Sequence, residues 1–346
     1  MAPIGYAAWL RWQVGGETAV LYFSDAGTVS ASLIASVACV RAGLRHTQRL
    51  RISWWLLGAA CAAWMLGEII WAGYDFAGAG GPPSPSWTDL GYLSFIPLAI
   101  AALLWHPGLS GSGARKTRSL IDGLAIALAL LFLSWTFVLG PIWRMSDLTT
   151  LGGVVTLAYP AGDVIIGFFV LLAIQRMRAA DRLTLWCVFA GLSALALADS
   201  TFAFVSVFNH YASGDMLDTG WFAGFLGIAL GAFASHEPEV PVEAEASPFS
   251  LPSLVAPLLP MFVALSVAGM RIDREHRPDS VSVAMLVGLI VLALARQAGL
   301  VVAFVRMGRG EGPGHLLDRF ARAALSRPLL EEPSAKPSRT PPPGGP

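Results

Sequence analysis

Apolar residues in this chain fall in blocks about 20 residues long, the length that spans a bilayer core as a helix. Nine such blocks run at roughly 22–42, 52–74, 89–106, 120–142, 152–175, 183–207, 217–235, 250–270 and 281–304. Short polar or Gly/Pro-rich segments separate them. The pattern predicts an all-α fold, a polytopic helical membrane bundle of about nine transmembrane helices. Residues 1–21 form an N-terminal segment before the first span, and 306–346 form a tail after the last.

Composition agrees with the pattern. Hydrophobic residues make up 55% of the 346 and charged residues only 13%, too apolar for an ordinary soluble domain. The formal net charge is zero, so charge points to no nucleic-acid partner. Lysine occurs twice, arginine 21 times and asparagine once, a bias that suggests a GC-rich bacterial genome. Cys39, Cys61 and Cys187 lie in apolar blocks, match no metal or disulfide spacing, and read as small buried hydrophobes. The first 25 residues lack a basic region of the kind that opens a cleavable signal peptide, so the first span is expected to act as the targeting signal.

Charge in the connecting segments sets an orientation, since cytoplasmic loops carry excess Lys and Arg. Arg41, Arg45, Arg49 and Arg51 lie between spans one and two, Arg115, Lys116 and Arg118 between three and four, and Arg176, Arg178 and Arg182 between five and six. The alternating loops 75–88, 143–151 and 208–216 hold a single arginine, Arg144. The N-terminus is therefore expected outside a bacterial plasma membrane and the C-terminus in the cytoplasm. Segment 236–249 carries four glutamates where basic residues are expected, and 271–280 carries Arg271, Arg274 and Arg277 where few are expected. Trp54, Trp55, Trp105 and Trp186 at one set of ends, and Trp71, Trp87, Trp143 and Trp221 at the other, suit an interfacial aromatic belt. Trp64 and Trp135, in mid-span, read as packing residues.

The phrase SWTDLGYLSF at 86–95 returns as MLDTGWFAGF at 216–225. Placing Asp89 on Asp218 puts Gly91 on Gly220, Tyr92 on Trp221 and, with one residue of slip, Phe95 on Phe225. The preceding spans pair Glu68 with Asp199, and residues 26–41 resemble 161–176. This pattern predicts a parallel tandem repeat of four-helix units, about 22–142 and 152–270, with a closing helix at 281–304.

The acids carry the candidate chemistry. A carboxylate in hydrocarbon is costly and usually faces the bundle interior. Glu68 and Asp199 lie near the outer ends of their spans, Asp89 and Asp218 open theirs on the same side, and Asp163 lies inside span five after Tyr159-Pro160. Two readings stand for Asp89 and Asp218, helix capping or membership of a site. Glu68 and Asp199 sit near helix C-termini, where capping does not apply, and are open to structural pairing or ligand binding. Asp163, beside a proline that can kink its helix, is the foremost ligand-binding candidate, with Arg144 the nearest cation. Asp122 reads as a cap. Together these acids form an expected ring in the extracytoplasmic half.

HLLDRFARAALS at 315–326 has one apolar helical face and suits an amphipathic helix on the inner leaflet or against a partner, and TPPPGGP ends a Pro-rich stretch expected to be disordered. The phrases PSWTDLGYLSFIPL, RSLIDGLAIAL, YPAGDVIIGFFVLL, ALADSTFAFV and LDTGWFAGFLGIAL, in this order, resemble the multispanning N-terminal sensor region of actinobacterial cyclic-di-GMP signalling proteins. The resemblance covers about 26–300. It implies a sensor whose cyclase or phosphodiesterase domains, marked by GGDEF and EAL motifs, have no counterpart in this sequence.

Three function classes follow. The preferred one is a non-catalytic membrane sensor that binds a small ligand, ion or lipid and signals to a cytoplasmic protein through the tail. The second is a proton- or cation-coupled transporter or channel using Asp163, Asp199 and Glu68. The third is a membrane-embedded enzyme, disfavoured because His46, His106, His210, His236, His276 and His315 form no ligand or catalytic spacing. No cofactor or metal is expected. The bilayer is the expected surrounding, and a homodimer is left open.

Overall fold

Inside a bilayer a helix satisfies every backbone N–H and C=O within its own segment, so each apolar block folds as one. A computed structural model describes residues 2–79, 81–83, 85–106, 116–145, 149–176, 182–206, 211–235, 258–274 and 279–308. Among them every element is helical: α1 (Ala2–Arg11), α2 (Glu17–Arg45), α3 (Gln48–Phe76), α4 (Trp87–Trp105), α5 (Lys116–Ser134), α6 (Gly140–Met145), α7 (Leu151–Arg176), α8 (Arg182–Ser206), α9 (Asp218–Ala234), α10 (Leu258–Arg274) and α11 (Ser280–Gly308). Seven spans are long and apolar enough to cross a membrane, while α9 and Leu258–Arg271 are shorter apolar helices. The helices follow the apolar blocks in order, and α1 is an addition to them. The acidic segment 236–249, residues 275–278 of the arginine-bearing loop, the expected helix at 315–326 and the Pro-rich end lie outside the described residues.

The chain divides into two compact units, Met1–Leu294 and Ala295–Pro346. The described part of the second is the C-terminal stretch of α11. Everything that follows concerns the first.

Six helices of this unit close into a ring: α2 contacts α3, α3 contacts α4, α4 contacts α7, α7 contacts α8, α8 contacts α9, and α9 returns to α2. Small residues make this possible, because in lipid the helices gain by close packing rather than by escaping water. On α2 the buried face is Ala31, Ala35, Ala38, Cys39 and Ala42, and Gly58, Ala60 and Cys61 on α3 meet it. Cys39 and Cys61 are free thiols within that seam. Ser36 Oγ donates to the Gly58 carbonyl at 3.0 Å, and Ser53 Oγ to that of Ala102 at 2.8 Å. The hydroxyls thus reinforce the seams on both sides of α3.

Two helices press backbone to backbone at Gly91 on α4, where an added Cβ would stand 2.8 Å from the Ala63 carbonyl oxygen and from Gly67 N. At the corresponding place in the second half, a Cβ on Gly220 would stand 2.9 Å from Ala198 Cβ. Gly91 aligns with Gly220, and Gly67 with Ala198, in the alignment that pairs the acids. At both positions a glycine faces the preceding long helix, against backbone at Gly91 and against a methyl group at Gly220.

The ring's core is aromatic at its centre. Trp64 lies 5.6 Å from both Phe95 and Phe225, ring centre to ring centre, and the two phenylalanines stand 6.2 Å apart in an edge-on arrangement. Phe225 is fully buried and Phe95 nearly so. Outside the ring, α5 packs against α7 and α10, and Ala125, Ala129 and Phe132 join Met261, Ala264 and Leu289 in a second core. A π-helical turn, Trp135–Leu139, links α5 to α6. Trp135 Nε1 donates to Asp279 Oδ2 at 2.9 Å, fixing the start of α11 to that turn.

Candidate functional site

At the end of the ring that carries the 77–86 and 211–217 segments, the six helices part around a cavity of about 310 Å³. The starts of α2, α4, α7 and α9 and the ends of α3 and α8 supply its wall. Its lining includes five carboxylates, Asp25, Glu68, Asp89, Asp199 and Asp218, and an aromatic set of Trp64, Trp71, Tyr92, Tyr159, Phe202, Tyr211 and Trp221. Among the described residues no Lys, Arg or His lines it. Trp64, and behind it Phe95 and Phe225 one turn deeper on α4 and α9 than Tyr92 and Trp221, form the floor.

Four of the five acids are held by local devices. Trp64, one turn before Glu68 on α3, donates from Nε1 to Glu68 Oε1 at 3.1 Å. Trp221 on α9 donates from Nε1 to Asp199 Oδ1 on α8 at 2.7 Å. Asp89 serves twice: its Oδ2 accepts the Ser86 N–H at 2.7 Å in a capping box, and its Oδ1 accepts the Tyr159 hydroxyl at 2.6 Å. Asp89 therefore caps its own helix and also lines the cavity. Asp218 makes no side-chain cap to its own helix. Instead it accepts from the Gly214 N–H at 2.7 Å, from the Tyr211 hydroxyl at 3.0 Å, and from Ser24 Oγ on α2. Gly214 has φ 98°, a left-handed conformation that glycine adopts without strain, and this turn aims its N–H at the acid. Tyr211, in the connecting segment, stays a neutral phenol. Burial raises its ionisation well above the ordinary value, and the negative charges of Asp218 and Glu68 raise it further.

Asp25 differs from the other four. It is 4% exposed, and its Oδ2 has no hydrogen-bond partner. Its electrostatic neighbours include the acids Asp75 and Asp218. Asp75 itself accepts from Trp71 Nε1 at 3.0 Å and Ser213 Oγ at 2.7 Å.

Of the acids singled out from sequence, Glu68, Asp89, Asp199 and Asp218 meet on this cavity. Asp163 does not line it. Helix α7 continues through Pro160, and Asp163, one turn on, is buried behind the wall. There it accepts from Ser200 Oγ at 2.8 Å and lies within electrostatic reach of Asp199. Arg144 is on an exposed turn of α6 and is not part of the wall. Asp122 is buried in α5, away from the cavity. Trp71 and Trp221 leave the expected belt and join the wall, and Trp54 is buried in the core. Trp87, Trp143 and Trp186 remain exposed as a belt requires.

Asp25 and the aromatic partners of the acids are additions to the expected site. The usable signal was spacing. Trp64/Glu68 and Trp71/Asp75 are four apart, the separation that places two side chains on one helix face. Tyr159, Tyr211 and Trp221 reach their acids from outside the acid's own helix, where spacing gives no signal.

The Tyr159–Asp89 bond ties α7 to α4 across the mouth. Tyr159→Phe removes a charge-assisted hydrogen bond and is expected to destabilise the protein by about 1–3 kcal/mol. A lower thermal midpoint in detergent checks this; an unchanged midpoint would show that the bond contributes nothing there.

Compared with family models, curated proteins and solved structures, the chain matches none.

Proposed function

We propose that the protein is an integral membrane receptor that binds a small ligand in this cavity and passes the resulting change in helix packing toward the opposite face. The observation that carries the reading is the floor. Trp64, Phe95 and Phe225 meet at the centre of the ring and close the cavity beneath its polar wall. A ligand can enter and be held, but a continuous core of apolar side chains lies under it. The arginine distribution supports a mouth on the outside of the membrane. Both halves of the chain supply wall residues, so a bound ligand would bear on the contact between them. The resemblance to sensor regions points the same way, with output through a cytoplasmic partner of the tail.

The competing function is proton or cation transport through the same acids. Reconstitution into vesicles carrying a pH-sensitive dye separates the two. Under imposed proton and potassium gradients, vesicles with the protein are expected to leak no faster than empty ones. A flux above empty vesicles that Asp199→Asn abolishes would establish transport and overturn the receptor reading.

A further inference from the structure

The composition of the wall narrows the ligand class. Five carboxylates and, among the described residues, no lining Lys, Arg or His favour a positively charged occupant, because a buried negative charge needs a compensating one. The acids are spread around the chamber rather than gathered: among the described residues no three His, Cys, Asp or Glu stand close enough to share a metal ion. A volume of about 310 Å³ also exceeds what one inorganic ion fills and lies at the lower end of small-molecule sites. The remaining wall is aromatic, and ring faces attract ammonium groups. The polar edges of Trp64, Tyr159, Tyr211 and Trp221 are already spent on Glu68, Asp89, Asp218 and Asp199. Those four acids therefore have partners from the protein, whereas Asp25 Oδ2, a buried oxygen of a wall residue, has none among the described residues. A lone, buried carboxylate oxygen calls for an N–H donor rather than a fully alkylated nitrogen.

Resting on the receptor reading, we infer that the cavity binds an organic ammonium ion bearing at least one N–H, with Asp25 as the anchoring carboxylate and the surrounding rings enclosing the carbon skeleton.

The test uses the full chain in lipid nanodiscs. Three probes are titrated by calorimetry: phenethylamine, its N,N,N-trimethyl analogue, and phenylpropionate as an anion of similar size. Quenching of tryptophan fluorescence gives a second readout, since Trp64, Trp71 and Trp221 lie in the wall. Putrescine is added as a slender ammonium probe. The expected result is saturable binding of at least one N–H-bearing amine, binding at least about tenfold weaker for the trimethyl analogue, and none for the anion. Asp25→Asn is expected to weaken the amine by about tenfold or more, and Asp25→Glu to restore part of it. Should Asp25→Asn fail to fold, the comparison of amine with trimethyl analogue on the unaltered protein still decides the question. Equal binding of the two, preference for the anion, or no saturable binding of either amine up to the millimolar range overturns the inference. Binding of the anion would leave the receptor reading standing, whereas acid-dependent flux in the vesicle assay would remove it whatever the probes do.

Discussion

Gly91→Val is expected to deprive the protein of its folded state in the membrane. The residue sits where α4 presses on α3, and any side chain there points at backbone. Its Cβ would lie 2.8 Å from the Ala63 carbonyl oxygen, 2.8 Å from Gly67 N and 2.9 Å from Gly67 Cα. None of these atoms can rotate away, so the helices must separate. Overpacking typically costs about 1–3 kcal/mol where side chains can adjust, and more is expected where they cannot. Separation would also part Glu68 from Tyr92 and withdraw Thr88, all from the cavity wall. The expected observation is loss of the monodisperse peak on size exclusion after solubilisation. Gly73→Val on the same α3 is the control, since nothing stands within 4 Å of its added Cβ. Equal yield and equal thermal midpoints for the two variants would show that close contact at Gly91 does not hold α3 and α4 together.

This contact bears on how much of the molecule the sequence displays. The helices were legible because apolar block length maps directly onto a physical thickness. Gly91 and Gly220 were legible as a matched pair, but why both are glycine follows only from how close their helices come. The acids at 68, 89, 199 and 218 could be set at one depth from sequence, since position along a span gives depth. Direction around a helix axis is less visible in chains where apolar residues occupy every face, including those that meet lipid. Asp163 therefore looked like a cavity residue by depth and proline, yet its direction on α7 turns it toward Ser200 and Asp199 behind the wall. Asp25 shows the reverse. It lay a few residues inside the first apolar block and looked unremarkable, because neither of its neighbours Asp75 and Asp218 is near in sequence. Arg144, at the outer end of its span, is the cation nearest to Asp163 by depth and chain position, but it lies on the exposed turn of α6 and lines no part of the cavity.

The floor supplies the second large effect. Phe95→Ala and Phe225→Ala are each expected to cost about 3–5 kcal/mol, the usual penalty for emptying a buried phenylalanine site that cannot collapse. In a membrane this cost comes mainly from lost contacts between close-packed atoms, since lipid offers the side chain no aqueous alternative to escape. The double variant is the informative one. The two rings touch edge to face and share Trp64 as a third wall, so removing the second enlarges a void the first has already opened. Its cost should therefore fall short of the sum of the singles, by on the order of 1 kcal/mol. Thermal or denaturant midpoints for the unaltered chain, the two singles and the double, in one detergent, give the coupling. Phe95 belongs to the first half of the ring and Phe225 to the second. Strong coupling would mean that the halves meet at one floor, so that a ligand pressing on the cavity would act on both. Simple additivity would mean that each half closes its own core, and a receptor that signals by shifting one half against the other would lose its hinge.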